Sequence, residues 1–217
     1  MKRFDLLVFD WDGTLMDSAG TIVTSLQAAC TDLGLPVPSD AAARHIIGLG
    51  LNEALAELLP GLAPSDYDRL VERYRHHFLS QDHEIPLFEG AFEAIQDLSG
   101  MGFMLAVATG KSRRGLDRAF SYTNLGRFFH ASRCADESFS KPHPAMLLEL
   151  MDEMGTSPDK TLMIGDTTHD LQMAINARVQ GVGVAYGAHP KENLLALSPM
   201  ACLDHFSELD QWLRMHA

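Results

Sequence analysis

The chain has 217 residues, 46% of them hydrophobic and 21% charged, with 17 basic against 29 acidic residues and a formal net charge of −12. These proportions suit a soluble globular protein and exclude collagen-like, mucin-like and disordered chains, and no apolar run approaches the ~18 residues of a membrane span. An acidic surface without a basic run argues against nucleic acid and membrane as partners; a small anionic substrate stays open if a metal or a placed lysine reverses the local field.

The first element is a buried strand at 4–10 (FDLLVFD), a short and nearly continuous apolar run. Asp5, Asp10 and Asp12 interrupt this opening stretch, so it does not read as a signal peptide. Residues 17–85 carry no convincing strand. Ile22, Leu26, Ala29 and Leu33 fall at helical spacing, as do Tyr67, Leu70, Val71, Tyr74 and Phe78, and Leu51 to Leu59 gives another helix. Ser39 and Ser65 stand where helix N-caps are expected. A helical insert over 16–86 is the expectation, with a core made of 1–15 and 87–217. Helical patterns follow at 90–100, 112–122, 142–154 and 168–179, and apolar runs at 103–109, 161–165 and 181–186. Strands alternating with helices predict an α/β fold with a parallel sheet covered on both faces. Cys30, Cys134 and Cys202 are far apart and form no CxxC, which predicts free thiols and a reducing, cytoplasmic compartment.

Ligands of open parallel sheets bind beyond the carboxyl ends of the strands, and three of these ends are polar. Asp10 and Asp12 leave the first strand at i and i+2, so both carboxylates can project to one side, and Gly13 permits a sharp exit. The pair Asp12-Gly13 taken alone is equally a turn. Thr109 and Gly110 end the 103–109 strand and offer a hydroxyl and an N–H ahead of a helix, an oxyanion cradle or an ordinary turn. Asp166 and Asp170, in GDTTHD, fall on one helix face, where the bland role is capping. Together the four carboxylates form an all-oxygen set suited to Mg²⁺. Lys141, in SKPHP before a helix, supplies a further cation that such a set needs, although most lysines are surface groups.

The ordered set DxDGT, a strand-ending Thr, a Lys before a helix and GDxxxD resembles the haloacid dehalogenase superfamily over the whole chain, nearest its phosphoglycolate phosphatase group. The resemblance implies a Rossmann-like core with a small helical cap domain inserted after the first strand. It implies hydrolysis of a small phosphorylated metabolite with Mg²⁺. Asp10 would be the nucleophile and Asp12 the general acid and base. Thr109, Gly110 and Lys141 would hold the phosphoryl oxygens. Asp10, the backbone carbonyl of Asp12, and Asp166 would bind the metal, with Asp170 acting through water or bracing Lys141. A phosphosugar mutase would use the same core residues. Dehalogenases lack the second carboxylate of the DxD pair, and the imine of phosphonate hydrolases needs a lysine that residues 16–86 do not contain. A phospho-accepting signalling module is shorter and has no such insert. Gly110-Lys111-Ser112 is not a nucleotide P-loop, because position 105 is Leu.

Substrate choice is expected from the insert, whose RHIIGLGLNE segment places a glycine loop between two helices. Its polar candidates are Arg44, His45 and Asn52. Residues 16–86 hold four Arg against ten Asp or Glu, which disfavours a polyanionic substrate but not a small monoester.

Overall fold

The computed structural model describes residues 2–217, the side chain of Pro64 apart. In chain order the strands are β1 (Leu6–Phe9), β2 (Met104–Thr109), β3 (Ala131–Cys134), β4 (Thr161–Gly165), β5 (Gln180–Val184) and β6 (Cys202–Leu203). The main helices are α1 (Ala19–Asp32), α2 (Asp40–His45), α3 (Leu51–Leu58), α4 (Pro64–Leu79), α5 (Ala91–Gly100), α6 (Arg113–Thr123), α7 (Ala145–Met154), α8 (Thr168–Asn176), α9 (Lys191–Leu195) and α10 (Phe206–His216).

The six strands form one parallel sheet in the order β3-β2-β1-β4-β5-β6. β1 lies in its middle, with Phe9 opposite Val107 on one side and Ile164 on the other. Period-2 alternation divides its side chains between two cores. Leu7 and Phe9 join Leu105, Val107, Leu162 and Ile164 beneath α5, α6 and α10. Leu6 and Val8 join Ala106, Ala108 and Met163 beneath α7 and α8. Both faces of the central strands are therefore dry, which is why their sequences read as continuous apolar runs. Strand order reverses direction across β1, so the crevice at its carboxyl end is the natural ligand site.

Helices α1 to α4 fall between β1 and β2 in the chain and close over an apolar cluster of their own, with Val23, Leu26, Ala43, Leu55 and Leu70 buried. Arg118 of α6 reaches Asp82, just beyond α4, through a two-nitrogen contact at 2.9–3.1 Å. This pair ties the far end of the helical segment to the sheet layer.

Several expectations move. Ser39 does cap α2, accepting from the Ala42 N–H at 3.2 Å. Ser65 caps nothing: α4 begins one residue earlier with Ala63 as its cap, because proline is well suited to the first helical position. The helix expected from 142 starts at Ala145, since Pro142 and Pro144 hold the preceding loop. The helix expected to reach 179 stops at Asn176, and Arg178 turns to a positive φ of 59°. Strands β3 and β6 and helices α9 and α10 were not expected from the sequence. β3 reads Ala-Ser-Arg-Cys and is half-exposed at the sheet edge, and β6 has two residues, so neither carries an apolar run.

Leu7 is fully buried in the central strand. Leu7→Ala should lower the unfolding free energy by about 2–5 kcal/mol, the range for a buried leucine truncation that leaves a cavity. Urea unfolding followed by circular dichroism checks this; a loss below ~1 kcal/mol would mean that β1 is not the packed centre of the sheet.

Candidate active site

The segment leaving β1 alternates its side chains between core and crevice. Trp11 turns inward, fully buried, with its ring against Phe120 and Phe129. Asp10 and Asp12, on either side, turn the other way and face a common cavity. Gly13 has φ 79°, and a Cβ there would stand 2.1 Å from Asp166 Oδ2. Any other residue would be strained in backbone and would also push into the carboxylate, so this glycine is set by the site.

Asp10 is held by one oxygen only. Its Oδ1 accepts from the Trp11 N–H at 2.7 Å and lies 2.8 Å from Lys141 Nζ. Its Oδ2 is buried with no hydrogen-bond partner. Burial pushes the carboxyl well above the ordinary range; Lys141 pulls it down, and Asp170 and Asp166 push it up again. Asp12 Oδ1 accepts from the Ser18 hydroxyl at 2.6 Å and pairs with Lys111 Nζ at 2.9 Å.

Lys141 is fully buried between two carboxylates, 2.8 Å from Asp10 and 2.6 Å from Asp170 Oδ1. Burial alone would lower its pKa, but the two flanking anions outweigh that and raise it. These contacts are ionic rather than well aligned hydrogen bonds, since neither Nζ nor Asp170 Oδ1 finds a directional partner. Asp170 is fixed by its other oxygen, which accepts from the N–H and the hydroxyl of Thr167 at 3.0 and 2.6 Å in a reciprocal cap on α8. Asp166 accepts from the Thr14 hydroxyl at 2.8 Å and from the Ala188 N–H at 2.7 Å. Burial first, and then Asp170, push its carboxyl up to about 7.

Asp10, Asp166 and Asp170 each offer an oxygen within 4.8 Å of the others. The donors are all hard oxygens, two of them without a hydrogen-bond partner, and the upward push on the Asp10 and Asp166 carboxyls shows that Lys141 alone does not offset the charge of three ionised carboxylates. The set therefore fits a hard divalent cation. The Asp12 side chain is not in this group; it faces Ser18 and Lys111, which leaves only its backbone carbonyl for such a role.

Thr109 ends β2 fully buried, and its Oγ1 accepts from the Lys111 N–H at 3.2 Å, so its own proton is free for another acceptor. Gly110 lies directly beneath the 48–50 loop: a Cβ there would stand 2.4 Å from the Leu49 carbonyl oxygen. The same loop is pinned by its Gly50 N–H, which donates to Ser140 Oγ at 2.8 Å. Between helical segment and sheet layer lies a cavity of about 510 Å³ that reaches from Asp10 and Asp12 outward between α4 and α6.

Of the three polar candidates on the helical segment, Asn52 lines this cavity, with its side-chain oxygen accepting from the Tyr67 hydroxyl at 3.0 Å. Arg44 and His45 are not among its lining residues. Arg44 pairs with Asp40 one helical turn back on the outer face of α2. His45 stacks on His189, and its carbonyl accepts from the imidazole N–H groups of His169 and His189 at 2.9 and 3.0 Å. Sequence reading missed Lys111, Tyr74 and Phe78. Lys111 was visible only as part of a failed P-loop pattern, and the two aromatics only as helix-core periodicity.

Over residues 7–184 the chain matches the family described as haloacid dehalogenase-like hydrolase, and it belongs to that family. It is a phosphatase of that family. It is 35% identical over 211 residues to the "Probable phosphatase IndB" of Dickeya dadantii, covering 94% of this chain and 91% of the relative. It is 32% identical to a phosphoglycolate phosphatase of Agrobacterium fabrum, covering 94% and 90%. Its fold matches a crystal structure of a "predicted phosphoglycolate phosphatase" from Haemophilus somnus with a TM-score of 0.87 at 23% identity, covering 97% and 98%.

A carboxyl at 3.8 when unfolded and about 7 when folded stabilises the fold while protonated. Its contribution is full below the lower value and is lost as pH rises through the upper one. His169 and His189 act in the opposite sense, because burial lowers their pKa, that of His189 to about 4 from 6.5. The readout is therefore a difference: in EDTA, Asp166→Asn should gain Tm relative to wild type as pH goes from about 5 to about 8. Thermal scans of both proteins check this; a constant difference would show that Asp166 carries no shifted proton.

Proposed function

We propose that this chain hydrolyses a small-molecule phosphate monoester with Mg²⁺ through an aspartyl-phosphate on Asp10, in the cytoplasm. One observation carries the reading: Asp10 lines the cavity, and its Oδ2 is buried without a hydrogen-bond partner among the described residues while its other oxygen is anchored. Such an oxygen is fixed in direction and has lost its water, as a nucleophile requires. The phosphoglycolate phosphatases among its relatives support a small phosphorylated metabolite as substrate.

In this reading Oδ2 of Asp10 attacks phosphorus and the bond to the ester oxygen breaks. Asp12 gives its proton to that leaving oxygen, then takes one from the water that attacks the acyl phosphate, releasing inorganic phosphate and restoring Asp10. Ser18 and Lys111 hold the Asp12 carboxylate in place between these transfers. The free proton of Thr109, the Gly110 N–H and the Lys141 ammonium receive the phosphoryl oxygens. Asp170 keeps Lys141 pointed at Asp10. Mg²⁺ held by Asp10, Asp166 and the Asp12 carbonyl, with Asp170 behind them, would lower the repulsion between carboxylate and phosphate. Residues 16–86 serve as a cap over the core formed by 1–15 and 87–217, and the cavity between them excludes water during the reaction.

Turnover of a phosphomonoester panel that includes phosphoglycolate should need divalent metal and vanish in EDTA. Asp10→Asn should abolish it with an unchanged circular dichroism spectrum; wild-type activity in this variant sinks the assignment. Asp12→Asn should cost about 10²–10⁴ in kcat, the usual range for loss of a general acid.

A further inference from the structure

Given the phosphatase reading above, we propose that the leaving group this site takes is apolar and bulkier than a two-carbon hydroxy acid. The cavity beyond Asp12 has a volume of about 510 Å³, within the roughly 300–1,000 Å³ of sites for drug-sized ligands. Ile22, Leu26, Leu55, Tyr74 and Phe78 are among its lining residues on the helical side. Tyr74 and Phe78 stand one turn apart on α4 with rings stacked at 5.8 Å and 24°. Lys111 Nζ sits 4.8 Å above the Phe78 ring and 2.9 Å from Asp12, so this aromatic face adjoins the group that would protonate the ester oxygen.

The charges argue the same way. In phosphoglycolate the carboxylate carbon is two bonds from the ester oxygen, so the anion must sit beside Asp12. A cation would have to receive it there. Lys111 is engaged by Asp12, Lys141 by Asp10 and Asp170, and Arg118 by Asp82. Arg75 and Arg114 also line the cavity but are solvent-exposed, where water screens them. An apolar body has no such debt and gains from leaving water for the Tyr74–Phe78 wall.

The test is steady-state kinetics with Mg²⁺ on ethyl, n-butyl and 2-phenylethyl phosphate, with phosphoglycolate and acetyl phosphate alongside. The first three are esters of primary alcohols, so leaving-group basicity stays nearly constant and the trend in kcat/KM reports the leaving-group pocket. From ethyl to 2-phenylethyl phosphate kcat/KM should rise by at least about tenfold, and the phenylethyl ester should exceed phosphoglycolate. Phe78→Ala should reduce that ratio, and Phe78→Leu, which keeps apolar volume, should reduce it less. Calorimetry adds a readout that needs neither turnover nor a particular variant: 3-phenylpropylphosphonate should bind wild type more tightly than 3-phosphonopropionate. A flat series, or a preference for phosphoglycolate, with acetyl phosphate still hydrolysed in an Asp10-dependent way, overturns this proposal alone. Absence of Asp10-dependent turnover on every ester overturns the phosphatase mechanism and this proposal with it.

Discussion

A buried ammonium between buried carboxylates is the constraint on which the rest of this molecule depends. Lys141 touches Asp10 at the end of β1 and Asp170 on α8, and Asp166 stands at the end of β4. No single charge here would tolerate burial, and the whole group tolerates it only if each member is held where the others need it. The holding groups are mostly backbone: the Trp11 N–H for Asp10, the Ala188 N–H for Asp166, the Thr167 N–H for Asp170. Backbone donors are fixed by sheet and helix, so the central strands must pair in register before the charges can meet. The apolar faces of β1 supply that register, since a slip of one residue would exchange the two cores.

Besides the Arg118–Asp82 pair, the helical segment is joined to this centre by small groups and carbonyls. The Gly48–Gly50 loop lies against Gly110, and its Gly50 N–H meets Ser140. On the other side the terminal carbonyl of α2 receives two imidazole N–H groups. That carbonyl has no partner inside its own helix, so these bonds satisfy an orphan acceptor while anchoring the segment. Directional contacts of this kind fix an approach distance without burying much area, which suits a boundary that holds a cavity.

The central strands and the carboxylates at their ends were legible in the sequence for one reason. A strand buried on both faces must be apolar throughout, so the first polar residue after it marks the sheet edge where ligands bind. Asp10, Thr109 and Asp166 stand out on that ground alone. Lys141 stood out less, because its loop has no periodicity and only its partners reveal its burial. β3 and β6 were illegible, since short edge strands need no apolar run. The lining of the cavity was illegible too. Tyr74 and Phe78 fit a helix core and a cavity wall equally well, and only the placement of α4 across the cavity from α6 decides between them. Arg44 and His45 lie outside the cavity lining for the converse reason: polarity beside a glycine loop does not say which way a short helix faces.

Ser18 shows how far the site's demands reach into local structure. It stands at the N-cap of α1, where a serine hydroxyl ordinarily accepts from the first free N–H groups and contributes about 1 kcal/mol. Here it makes no such bond, and its backbone is helical rather than extended. The hydroxyl instead donates to Asp12 at 2.6 Å. A helix that gives up its cap in this way must be held by packing, and α1 is, through Val23, Leu26 and Ala29 in the helical cluster. The same bond makes the first turn of the helical segment a neighbour of the carboxylate proposed to move protons. Any displacement of α1 relative to β1 would therefore move the Ser18 hydroxyl and alter the field at Asp12. Cavity shape and the proposed acid–base chemistry would in this way be coupled through one hydroxyl, without a separate relay.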